Sequence, residues 1–134
     1  KLKDMKNVEY SSNVSNEQIR AELVNSHIFA YPNIWPESSC LSAIEAMSSK
    51  NLLVLPNLAA LKETGSKSKF LYEFTDNASD HINTFQKQLT LAIQYVKKQS
   101  EDYKSHLNEL KTYADNNHNL KQYLNKWDQI LSSK

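Results

Sequence analysis

Apolar positions change their rhythm near residue 78. Before it, short apolar runs alternate with polar, turn-rich stretches; after it, apolar residues recur at steps of three and four. Three runs, at 28–31, 52–55 and 70–74, are compact and apolar, and the first two stop at Pro32 and Pro56. Such runs read as strands covered on both faces, which need no alternation. A further short strand is expected at 8–10. Ser15, with Gln18 three residues on, forms a capping box. It opens a helix to about Ser26 with Ile19, Leu23 and Val24 on its buried face. A helix from Ser39 or Cys40 to Ser49 follows the first run. A shorter one at 58–64 stops at Gly65, a natural C-terminal cap. Beyond residue 78, Ile82, Phe85, Leu89, Ala92, Ile93 and Val96 mark a long amphipathic helix capped by Asp76 or Ser79. Tyr103, Leu107, Leu110 and Tyr113 mark a second. A break at 116–119 precedes a third, with Leu120, Tyr123, Leu124, Trp127, Ile130 and Leu131. The pattern predicts an α/β fold: a parallel, Rossmann-like sheet in residues 1–78 and packed helices in 79–134.

Composition narrows the reading only slightly. A chain of 134 residues with a net charge of +1 suits one domain with a core and gives no pull toward nucleic acid. The lysines of the last third are interleaved with Glu101, Asp102 and Glu109, as on solvated helix faces. No apolar run approaches the length of a membrane span, and no signal peptide is expected. The single cysteine, Cys40, excludes an internal disulfide and fits the cytoplasm. The four histidines show no metal-ligand spacing, so no metal is expected. The chain has one glycine, against about nine expected at ~7% usage.

The candidate chemistry lies between the first strand and the helix after it. Glu37 falls in the connecting loop and Glu45 in the second turn of the helix. Between them the helix start offers the backbone amides of Cys40, Leu41 and Ser42 and the positive end of a dipole, which suits phosphate. A carboxylate one or two turns into such a helix can accept from ribose hydroxyls. Glu45 has a plainer reading as a helix acid facing water. Cys40 has a plainer reading as a small packing residue.

The stretch Pro36-Glu37-Ser38-Ser39-Cys40-Leu41, continuing to Glu45-Ala46-Met47, resembles the donor-site signature of retaining glycosyltransferases of the GT-B fold, the family-four group. The resemblance extends over about residues 7–75. It implies the second half of a nucleotide-binding C-terminal domain whose donor is a nucleoside diphosphate sugar and which needs no metal cofactor. Glu37 matches the glutamate that contacts the donor sugar near the reacting carbon. Glu45 matches the ribose-binding glutamate, and Val14 would approach the base through its backbone. The Arg and Lys that hold the diphosphate in relatives have no matching position, and the N-terminal acceptor domain has no counterpart. Relatives' first two strands would lie between 8–10 and 28–31, so either this is part of a larger protein or strand 8–10 lies elsewhere or is frayed. Trp127 would belong to the terminal helix that crosses to the other domain in relatives. Where relatives carry glycine, this chain has Ser12, Cys40, Lys50 and the pair Ala59-Ala60. The implied function is donor binding for hexose transfer. The alternatives are a non-catalytic nucleotide-sugar or partner-binding module and a purely structural α/β domain.

Overall fold

A computed structural model describes residues 5–133. In chain order the elements are α1 (Asn16–Asn25), β1 (Ile28–Ala30), α2 (Leu41–Ser48), β2 (Leu52–Pro56), α3 (Ala60–Thr64), β3 (Phe70–Tyr72), α4 (Ala78–Lys98), α5 (Glu101–Asn117) and α6 (Leu120–Ser132). The three strands form one parallel sheet in the order β1-β2-β3. Ile28 pairs with Leu52, and Val54 with Phe70. The fold is α/β with a Rossmann-like parallel sheet and a helical final third, as the pattern of runs predicts.

Burial explains why the central run carries no alternation. Every residue of β2 is buried, since it has a strand on each side and helices over each face. Phe70 turns toward α4, where its ring meets that of Tyr95 at 5.7 Å. Leu71, one residue on, points to the opposite face with Leu55, both against Gly65 at the end of α3. Helix α4 packs over all three strands. Helix α5 packs on α2, and its Tyr113 hydroxyl donates to the Glu63 carbonyl at 3.3 Å.

Several expectations need correction. Residues 8–10 form no strand: Val8 and Tyr10 are exposed, and so short a run interrupted by Glu9 offers no continuous apolar face. The capping box of α1 forms, with Gln18 N–H donating to Ser15 Oγ at 3.2 Å and Ser15 N–H to Gln18 Oε1 at 2.9 Å. Its apolar face is narrower than the spacing suggests. Only Leu23 is buried, while Ile19 is 37% and Val24 69% exposed, because α1 packs chiefly on α2. The cap of α4 is Asn77, whose side chain accepts from Asp80 N–H at 3.1 Å; neither Asp76 nor Ser79 serves. Gly65 does follow α3, but at φ −86° it is right-handed. Its value is space: a Cβ there would sit 2.7 Å from Leu55 Cδ1 and 2.9 Å from the Leu61 carbonyl. Helix α6 has no buried residue. No described helix is long and apolar enough to cross a membrane.

Candidate nucleotide-phosphate site

Parallel α/β sheets place ligands beyond the carboxyl ends of their strands. Here β1 ends at Ala30, and the chain runs out through Tyr31, Pro32 and Asn33 toward Glu37. Tyr31 still belongs to the sheet edge, its N–H donating to the Val54 carbonyl at 2.9 Å. Its hydroxyl donates to Glu37 Oε1. Asn33 is buried and folds the loop on itself: its Oδ1 accepts from Trp35 N–H at 2.9 Å, and its Nδ2 donates to the Trp35 carbonyl at 2.6 Å. The same Nδ2 reaches Glu37 Oε1 at 3.1 Å. The Glu37 carbonyl accepts from Ala60 N–H at 3.2 Å, which ties this loop to the one after β2. Two side-chain donors and one backbone bond therefore fix the Glu37 carboxylate at the mouth of β1.

Cys40 is the N-cap of α2 and is buried. Burial, together with the nearby Glu37 carboxylate, pushes its thiol up to about 11, while the Ala43 and Ser42 amides act the other way. The thiol stays protonated at neutral pH, which removes it as a nucleophile. Tyr31 is pushed up to about 12, chiefly because its hydroxyl donates to Glu37 and its ionisation would set two negative groups together. Leu41 and Ser42 are exposed at the first turn of α2. Helix α2 has no side-chain cap hydrogen bond, although the Cys40 sulfur lies near the Ser42 and Ala43 amides.

Glu45 lies one turn further along, in an intermediate position, with its side chain 36% exposed. Arg20, the sole arginine of the chain, comes from α1 and reaches Glu45 Oε1 with Nη2 at 3.3 Å and Nε at 3.4 Å. Both bonds go to one oxygen, and Oε2 accepts none from the described residues. Val14 stands apart from the rest. It borders a depression of about 310 Å³ with Ser11, Gln18, Ile19 and Glu22, and neither Glu37 nor Glu45 lines it.

The structure thus groups Glu37, Cys40 and the first turn of α2, links Glu45 to them through the helix, and has Val14 lining a depression that none of them lines. Tyr31, Asn33 and Arg20 were not singled out from sequence. Asn33 two residues before Trp35 carries an Asx-turn signal, and a lone arginine in a lysine-rich chain was visible as an oddity. The hydroxyl of Tyr31 has no sequence signal, since its ring reads simply as the end of an apolar strand. A larger groove of about 650 Å³ lies beyond β1 and β3, lined by Pro32, Ile34, Phe74, Ala78, Ile82 and Phe85. Thr75, Asp76, His81 and Gln86 also line it, and it takes in none of the candidate residues. Among the described residues no three of His, Cys, Asp and Glu converge on a point where a metal could sit.

The chain matches no protein-family model, no curated protein and no solved structure.

Proposed function

We propose that the chain is the donor-binding part of a retaining glycosyltransferase of the GT-B type, transferring a hexose from a nucleoside diphosphate sugar to an acceptor held by a separate domain. The observation that carries this reading is the fixed Glu37 carboxylate at the carboxyl end of β1, beside the first turn of α2. Sugar transfer passes through an oxocarbenium-like state, and a carboxylate held where that charge develops stabilises it without reorganising. The amides of Leu41 and Ser42 would take the diphosphate. Glu45 Oε2 would accept from a ribose hydroxyl while Arg20 holds the other oxygen. The single reduced cysteine agrees with a cytoplasmic setting.

A specific observation favours a second reading, a nucleotide-sugar-binding module without turnover. Cys40 places a sulfur among the amides of Ser42 and Ala43, and the chain has no counterpart of the Arg and Lys that neutralise the leaving group. Titration calorimetry with uridine, guanosine and adenosine diphosphates tests both readings. The expected result is weak binding of one of them, lowered about tenfold or more by Glu45→Ala through loss of a charged hydrogen bond, and no sugar transfer by the chain alone. Absence of binding to all three would overturn both readings and leave a structural α/β domain. Transfer by the chain alone would refute the module reading.

A further inference from the structure

Helix α6 leaves six large apolar side chains uncovered. All its described residues are exposed. Its apolar side chains are exposed to between 46% at Tyr123 and 73% at Leu120, with Trp127 at 60%. They are arranged in a pattern. Leu120, Leu124, Trp127 and Leu131 follow steps of four, three and four, the spacing of a two-stranded helix seam. Tyr123 and Ile130 flank the seam on one side. Lys121 and Asp128 flank it on the other, one heptad apart.

We infer that α6 is a self-association element, pairing antiparallel with α6 of a second copy of this chain. Charge selects this occupant and this orientation. An antiparallel pair sets each flank of one helix against the same flank of the other. Aligning Leu120 with the partner's Leu131, and Leu124 with the partner's Trp127, leaves Lys121 about 3 Å along the axis from the partner's Asp128, at 1.5 Å per residue. Two-fold symmetry repeats the pair, so two opposite-charge contacts flank one apolar seam. A parallel pair would instead set Lys121 and Asp128 against the apolar Tyr123 and Ile130 flank, with no match. A lipid surface would favour lysines alone on the polar side, whereas α6 carries Asp128 among Lys121 and Lys126 and is otherwise amide-rich.

The seam is short, so the dimer is expected to be reversible and concentration-dependent. Sedimentation equilibrium of the 134-residue chain should show a mass rising with concentration from the 15.4 kDa of one chain toward twice that value. Trp127→Ala should abolish the rise. Lys121→Asp and Asp128→Lys should each weaken association several-fold by setting like charges together, and the double exchange should restore it. The charge variants alter exposed residues only, so the folded body is untouched. A chain that stays monomeric at millimolar concentration overturns the inference. So does a double exchange that fails to restore association. A monomer that co-sediments with phosphatidylserine vesicles overturns it in favour of a lipid surface.

Discussion

Lys50 and Ala59 hold backbone conformations that suit glycine. Lys50 sits at φ 61°, and Ala59 at φ 47° with ψ −128°. An L-residue in the left-handed region crowds its own Cβ, and the Ala59 combination lies further still from the allowed regions. Both are positions where the resembled enzymes carry glycine. At Ala59 the surroundings impose the conformation: the next amide, Ala60 N–H, is held by the Glu37 carbonyl. Ala59→Gly should therefore raise stability by about 1–2 kcal/mol, and Lys50→Gly by less, because its region is the milder one. Urea unfolding of the two variants checks this, and an Ala59→Gly midpoint below that of the parent would contradict it. The sequence shows plainly where glycine is missing. It gives no sign of the strained geometry, because nothing local marks a positive φ at lysine or alanine. At Gly65, the expected C-terminal cap of α3, the structure uses the missing side chain and not a left-handed backbone.

At the scale of elements, existence and type were legible except at 8–10, where no strand forms, and partnership was not. The three apolar runs became strands because compact apolar runs, two of them closed by proline, leave little else to form, although the first is only partly buried. The helices of the final third followed from their spacing. Spacing shows that a helix has an apolar face but does not reveal what covers it, which is why Ile19 and Val24 were misplaced. Glu37 and Cys40 were legible as neighbours because one loop carries both, whereas the Arg20–Glu45 pair depends on how α1 lies against α2. Asn51 is the clearest element-level contact with no sequence signal, since asparagine before a strand reads as a turn residue. It is fully buried, and its Nδ2 donates to the Leu23 carbonyl at 2.8 Å and the Ala46 carbonyl at 3.3 Å. It therefore joins the ends of α1 and α2 to the start of β2. Asn51→Ala should cost about 1–3 kcal/mol, since buried carbonyls lose a donor and a small void opens. Chemical denaturation would measure the loss, and a cost under ~0.5 kcal/mol would show that the remaining backbone bonds suffice.

Taken whole, the molecule should be sensitive to alkali and not to mild acid in its raised groups. Cys40 rises from 9.0 to about 11, and Tyr31 and Tyr72 from 10.0 to about 12, Tyr72 by burial alone. A raised value means that the folded state holds its proton more tightly than the unfolded state does. The associated stability is therefore complete below pH 9 and drains away as pH climbs toward 12. The thiol sets the onset, and the two tyrosines extend the loss. Urea midpoints between pH 7 and 12 should be level at first and then fall, and Cys40→Ala should delay the start of the decline. A parent midpoint unchanged at pH 11 would show that these groups ionise without hindrance. The stretch that suggested catalysis thus also governs tolerance to base, because Tyr31, Glu37 and Cys40 form one contact group.

The uneven burial of the sheet also bears on the order in which it assembles and comes apart. The crossover from Ile28 to Leu52 is half as long again as that from Val54 to Phe70. Chain-closure entropy turns that into only about 0.4 kcal/mol, too little to rank the two pairings. Burial ranks them instead: β3 hides Phe70 and Tyr72 beneath α4, while β1 has no fully buried residue. The β2–β3 pair is therefore expected to form first, with β1 joining last and opening first. Glu37 hangs from β1, so amide exchange in 28–37 should outpace that in β2, and the loop's rigidity lasts only as long as its strand stays paired.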